Sequence, residues 1–465
     1  MKLKPHIVII VPRGEVVRNL LYSRTLDVLA SEARVTVLSV VVDDRVLAPF
    51  RDKCEQIIPL EVFPEHRLVR LVRQVLEFSH ERYMWSKPAQ TRWSKRDVRY
   101  GSSLPDRIKW KTKKHAAGLF ANPAGLRILS SLERRLSHAL EPTDRYVRLF
   151  CDLKPDLVFN GSHIHSPAAV LPVQAANRLG IKTATFVFSW DNLTSRGRIF
   201  LPYDHYLMWN DRMRKQLLDL YPNLRPEQVT VTGTPQFDYY FDSNFHWSRE
   251  QFCEQVGADP ARPIVVYTTG QAHAMPEEPI IVTGIAEMLQ GMSDLGPPQL
   301  LVRVYAKDNT GRFEPLKRQL KDVVFTDVAW DRKWLTPYYD DLFMLTNLIR
   351  HADVGINVAS TVSLELAMFS KPVINVGYNP PGVDVSPVDY AKYYDFDHYR
   401  PVVESGAVRV AYSEAEMAAM LRRALSEPNE DAAAQKVFIQ QMFDDTLDGR
   451  SGQRVAEALL GLTRK

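Results

Sequence analysis

The chain has 465 residues, of which 45% are apolar and 25% charged, and its formal net charge is +4. That length is more than one ordinary core accommodates and fits two domains, and the composition excludes a large disordered region. The small net charge gives no global sign of nucleic-acid binding, so any basic signal must be local.

The chain opens with an apolar run, Ile7–Val11, too short for a signal peptide's core and long enough for a buried strand. A helix is expected over Val17–Ser31, and strands over Val35–Val42 and Cys54–Leu60. Asp156–Asn160 and Lys182–Phe188 read as two more strands, with a helix over about Ala168–Leu179 between them. The pattern then restarts. Strands are expected at Pro263–Thr268, Leu300–Tyr305, Val323–Asp327, Val354–Asn357 and Pro372–Val376, and helices at Ile280–Met292, Asp341–His351 and Thr361–Phe369. Alternating β and α units imply parallel sheets covered on both faces. Two successive sets imply twin Rossmann-like domains, 1–245 and 246–430, with the change near Ser243–Pro260. The last segment, 431–465, reads as two helices.

One segment departs from the pattern. Between Trp85 and His115 there are ten Lys or Arg against two Asp, interleaved with Trp85, Trp93, Tyr100 and Trp110. It reads either as a solvated insertion or as a surface meeting anionic lipid headgroups or a lipid diphosphate. Single-stranded nucleic acid uses similar residues, but the rest of the chain points to small-molecule chemistry. No run of about 18 apolar residues occurs, so no membrane-spanning helix is expected. The expectation is a cytoplasmic enzyme that can sit at the inner face of a membrane. The three cysteines, Cys54, Cys151 and Cys253, have no metal-ligand spacing, so no metal is expected.

Open α/β sheets bind ligands at the carboxyl ends of their strands, which confines the search for chemistry to strand-to-helix loops. Ser360 and Thr361 fall where a helix begins after Val354–Asn357, so their hydroxyls and adjacent N–H groups can hold a diphosphate. Glu365 lies one turn further on the same face and can accept both hydroxyls of a ribose. Arg303 and Lys307 can neutralise diphosphate charge, and Gly270 can let a phosphate approach the backbone. In the first half, Asp191 follows a strand and can take a proton from an acceptor hydroxyl, with Asn192 beside it. Equally, Asp191 and Asn192 can serve only to shape that loop as an Asx-turn. Arg13, His163 and His165 are further candidates for contact with an acceptor, although lone loop histidines are more often structural.

Three segments carry a resemblance. Trp190-Asp-Asn-Leu-Thr-Ser-Arg-Gly197, Val231-Thr-Gly-Thr-Pro-Gln-Phe-Asp238 and Asp353 through Val376 are similar, in that order, to segments of the GT-B superfamily. Within it they most resemble the CDP-glycerol glycerophosphotransferase branch and related bacterial surface-polysaccharide transferases. The resemblance implies an α/β GT-B fold with two Rossmann-like domains facing across a cleft. Asp191 stands where that branch carries a catalytic His, and Tyr305-Ala306 replaces its His-Pro pair. Both departures shift the expectation from glycerophosphate transfer to sugar transfer. Many retaining relatives carry a second Glu eight residues before the donor Glu. That position here is Asn357, which favours inversion.

The implied activity is transfer of a sugar from a nucleotide-sugar donor to a glycan or lipid-linked acceptor, with no cofactor and no nucleic-acid partner. Two rivals stand beside it. One is a non-hydrolysing nucleotide-sugar epimerase, whose Gly-Thr-Arg-Pro-Glu-like loop is only partly matched by Val11-Pro-Arg-Gly-Glu15. The other is an inactive binding partner of a polysaccharide assembly complex.

Overall fold

A computed structural model of the chain describes residues 4–101, 103–163, 167–383 and 388–464. It divides into two units, one of Met1–Asp238 with Thr446–Lys465 and one of Tyr239–Asp445. His165 lies outside the described residues.

The first unit is built on seven parallel strands: β1 (His6–Val11), β2 (Arg34–Ser39), β3 (Gln56–Pro59), β4 (Leu157–Asn160), β5 (Lys182–Phe186), β6 (His205–Met208) and β7 (Val229–Val231). Their order is β3-β2-β1-β4-β5-β6-β7. The run HIVIIV has no polar alternation because β1 is central and every one of its residues is buried. It pairs Ile7 with Val35 on one side and with Leu157 on the other. The order reverses between β1 and β4, which makes their carboxyl ends the switch point of this sheet.

Between β3 and β4 the described residues form five consecutive helices, Arg67–Met84, Lys87–Arg99, Leu104–Phe120, Pro123–Leu140 and Asp144–Leu153. Three of them start at a capping side chain followed by proline. The Ser86 hydroxyl accepts from the Ala89 N–H, Ser103 from Asp106, and Asn122 from Gly125. This insertion holds the basic and aromatic segment, and it places two of the aromatic rings differently from the expectation of an interfacial belt. Trp93 and Trp110 are buried with Phe78 in a small core of their own. Their indole N–H groups donate to the Glu81 and Asp97 carboxylates at 2.8 and 2.6 Å. Glu81 is itself buried, and Arg92 and Arg96 close on it at 2.8 and 2.5 Å. Two cations and two tryptophans of the segment are thus consumed internally.

The second unit has six parallel strands: β8 (Ile264–Thr268), β9 (Gln299–Arg303) and β10 (Val323–Thr326), then β13 (Val354–Asn357), β14 (Val373–Val376) and β15 (Arg409–Ala411). A short antiparallel pair, β11 (Trp330–Asp331) and β12 (Thr336–Pro337), stands apart from the sheet. The sheet order is β10-β9-β8-β13-β14-β15, so it reverses between β8 and β13. Val265, Tyr267, Val302, Ile356 and Ile374 project from it into one core with Ile285 and Met417 of the covering helices.

The helix Ala432–Phe443 belongs to the second unit and the helix Ser451–Thr463 to the first. The buried Asp238 carboxylate receives the start of the latter, accepting from the N–H groups of Ser451 and Gly452 at 3.1 and 2.6 Å. Burial pushes the Asp238 carboxyl up to about 6 against those two bonds. No described helix is long and apolar enough to cross a membrane.

Candidate functional site

In the second unit, Gly270 follows β8, Arg303 and Lys307 end or follow β9, and Ser360 and Thr361 follow β13. These are three neighbouring strands, so the loops share one edge of the sheet around its switch point. The loop after β13 is set from below by a buried polar network. Asn357 and Asn375 are register partners on β13 and β14. The Asn357 Oδ1 accepts from the Ser360 N–H at 3.1 Å, from the Ser363 hydroxyl at 3.0 Å and from the Asn375 Nδ2 at 3.0 Å. The Tyr399 hydroxyl closes the network on the Asn375 Oδ1 at 2.6 Å. The network holds the loop through Ala359, whose φ of 42° is left-handed and costly for a residue with a Cβ. The Ser360 hydroxyl accepts from the Val362 N–H at 3.3 Å. The Thr361 side chain makes no capping bond to the helix Val362–Met368.

Three of the expected ligand groups of this unit have partners within the chain. Arg303 does not reach into open space. It is buried, and its Nη2 donates to both oxygens of the buried Asp341 at 2.8 and 2.7 Å, tying β9 to the helix Tyr339–His351. Gly270 is needed for a different close approach. A Cβ there would lie 1.9 Å from the Met275 sulfur, and its N–H is already given to the Glu278 carboxylate at 2.9 Å. Glu365 is buried rather than open, and it accepts from the Tyr240 hydroxyl, so a ribose would compete for that oxygen. Lys307 is half-buried in the loop after β9.

Sequence reasoning missed the group that fixes the Gly270 loop. Glu278 is fully buried and bonded to the Gly270 N–H, the Tyr267 hydroxyl and the Arg312 guanidinium at 2.9, 3.2 and 2.8 Å. Burial raises its carboxyl to about 7 despite these partners. Arg312 also binds Asp308 at 2.6 Å and the Gly270 carbonyl at 3.2 Å.

In the first unit, Arg13 follows β1, His163 follows β4, and Asp191 and Asn192 follow β5, again three neighbouring strands. Asp191 is occupied locally. Its carboxylate accepts from the Ser189 hydroxyl at 2.5 Å, the Ser195 hydroxyl at 2.5 Å and the Asn192 Nδ2 at 3.2 Å. These bonds tie residues 189–195 together. Asn192 is buried, and its Nδ2 donates to the Asp191 carboxylate. Arg13 is paired through Nε and Nη2 with Glu15 at 3.1 and 2.9 Å.

His163 lines a cavity of about 80 Å³ with Arg73, Leu76, Glu77, Gly197, Arg198 and Phe200. Its Nδ1 lies 3.3 Å from the Phe186 carbonyl. A Cβ at Gly197 would sit 2.5 Å from the Glu77 Oε1, so glycine is what admits this carboxylate to the loop. Burial raises the Glu77 carboxyl and Glu81 adds to the shift, while Arg96, Arg92 and Arg73 oppose it. Nothing but Gly197 marks Glu77 in the sequence, where it reads as one more charge on an amphipathic helix. Among the described residues no cluster of three His, Cys, Asp or Glu could hold a metal ion.

No family model and no curated protein matches the chain. Solved structures do. A UDP-N-acetylglucosamine 2-epimerase is 15% identical with a TM-score of 0.54, the match covering 99% of this chain and 96% of that one. The UDP-GlcNAc 2-epimerase of Neisseria meningitidis, bound to UDP-GlcNAc, is 12% identical with a TM-score of 0.53, covering 98% and 100%. A glycosyltransferase from Rickettsia africae is 11% identical with a TM-score of 0.51, covering 99% of each chain. At these identities the likenesses show the fold alone, an α/β fold of GT-B type with two Rossmann-like units, and they do not support a relation to the CDP-glycerol branch.

Proposed function

We propose that the chain is a glycosyltransferase that moves a sugar, with inversion, from a nucleotide-sugar to an acceptor hydroxyl in bacterial cell-surface polysaccharide synthesis. The observation that carries this reading is the loop after β13. Ser360 and Thr361 stand at the switch point of the second sheet, on a strained turn that the Asn357–Asn375 network holds in place. Such a turn presents the Ser360 and Thr361 hydroxyls to a diphosphate without reorganisation. Lys307 adds charge as the leaving group departs, and Glu365 takes a ribose hydroxyl.

The acceptor is assigned to the first unit, with its oxygen near His163. Asp191 was the expected proton acceptor, but its oxygens already serve three side chains. Glu77 takes the role instead, because its carboxylate borders the cavity and burial makes it a stronger base than an exposed one. The acceptor hydroxyl gives its proton to Glu77, its oxygen bonds the anomeric carbon, and the bond to the diphosphate breaks with its electron pair.

A nucleotide-sugar epimerase is the second reading, favoured by what the epimerase structures are said to do. Incubation with UDP-GlcNAc alone separates the two: an epimer appearing without UDP release overturns the transferase. A thermal-shift screen of nucleotides and nucleotide-sugars comes first, since a ligand at about 100 times its Kd adds about 2.7 kcal/mol.

A further inference from the structure

The helix Leu104–Phe120 carries apolar side chains on its outer face as well as its inner one. Its inner face carries the buried Trp110 and Ala117. At about 100° per residue, Leu104, Ile108, Lys111, His115 and Leu119 fall on one stripe opposite that face. All five are exposed, and Leu104, Ile108 and Leu119 keep 69%, 57% and 75% of their surface in solvent. Val98, near the end of the preceding helix, keeps 80%. Single exposed apolar residues are ordinary, but the outer face of a solvated helix is expected to be polar.

The exposed charge of this helix and the preceding one is mainly of one sign. Lys95, Arg99, Arg107, Lys109 and Lys111 are all exposed on the same two helices. The two carboxylates there are already engaged, Asp97 by Lys114 and Trp110, and Asp106 by the Ser103 hydroxyl. The stripe's far end borders a hollow of about 700 Å³, lined by Arg82, Trp85, Lys114, His115 and Leu119 among others.

We propose that this face docks on an anionic bilayer, with Leu104, Ile108, Leu119 and Val98 among the headgroups and the flanking cations over the lipid phosphates. The charges select this occupant. A second copy of the chain would bring an equal set of cations and repel. Single-stranded nucleic acid needs several open ring faces, and here Trp93 and Trp110 are buried and Arg82 lies 4.1 Å over the exposed Trp85 ring. A bilayer surface takes both the aliphatic stripe and its cations. The docking stands whether or not the chain is a transferase.

The test is flotation of the full chain with vesicles of equimolar phosphatidylglycerol and phosphatidylcholine, against phosphatidylcholine alone. Binding is expected to the anionic vesicles only and to fall steeply with salt. Each removed charge should weaken it about fivefold, so Arg107→Glu with Lys111→Glu should abolish it. Leu104→Ser with Ile108→Ser should weaken it at least about tenfold, while Lys436→Glu, on the second unit, should leave it unchanged. All the altered side chains are exposed, and circular dichroism checks that the variants fold. Failure to float, or flotation indifferent to both pairs of substitutions, overturns the proposal. So does self-association that Leu104→Ser with Ile108→Ser abolishes in a chain that binds no vesicles.

Discussion

Replacing Arg303 with methionine leaves the Asp341 carboxylate buried and without its cation. In the folded chain that carboxylate accepts two bonds from Arg303, one from the Ala329 N–H at 3.2 Å and one from the Trp330 Nε1 at 2.7 Å. Both partners are nearly inaccessible, at 9% and 3% of side-chain surface. Removing one member of such a pair costs about 3–5 kcal/mol. For a unit of this size that corresponds to a drop in Tm of about 6–20 °C. Arg303→Met with Asp341→Leu should recover part of the loss, since no buried charge remains, but not all of it, because the Ala329 and Trp330 donors are stranded. The assay is calorimetric unfolding of both variants beside titration with UDP. Arg303→Met within about 1 kcal/mol of the parent, together with UDP affinity reduced about 100-fold, would refute the reasoning and return Arg303 to the ligand.

Glu77→Gln should lower UDP release from UDP-GlcNAc in the presence of an acceptor at least about 100-fold while leaving UDP affinity unchanged, and Asp191→Asn should cost mainly thermal stability. Equal turnover in Glu77→Gln and the parent would remove Glu77 from the chemistry. Stability should fall as pH rises from about 4.5 toward 7, because burial holds Glu278 protonated in the folded chain to about 7 while the unfolded chain has already released that proton. The loss is up to about 3 kcal/mol, and Glu278→Gln should flatten this part of a urea-unfolding profile. Ala359→Val, which puts a β-branched residue at φ 42°, should lower stability by about 1–2 kcal/mol, whereas Ala359→Gly should be neutral or better by thermal unfolding.

Central strands such as β1, β8 and β13 are legible in the sequence because both faces are buried and the runs are mostly apolar. β6, β7 and β15 are not legible there. They have three or four residues each, and their neighbours in the sheet supply what short runs such as Val-Thr-Val do not announce. The helices after Ser86, Ser103 and Asn122 were hidden by cationic composition, although a capping residue with proline soon after it was readable at each. At the candidate site, chain position told which loops gather at the sheet edges. It could not tell which charges are already spent. Asp191 has Ser189 and Ser195 within four residues and satisfies itself locally. Arg303 finds Asp341 at a distance of 38 residues, which no local pattern reveals.

The grip of Asp238 on the Ser451–Thr463 helix has a consequence for biogenesis. The first unit is interrupted by the whole of the second, so a nascent chain that has reached Asp238 still lacks one of that unit's helices. The second unit is continuous and can mature as it emerges. The first can close only after residues beyond Thr446 have been synthesised, and a fragment ending at Asp238 should be a client for chaperones rather than a finished domain.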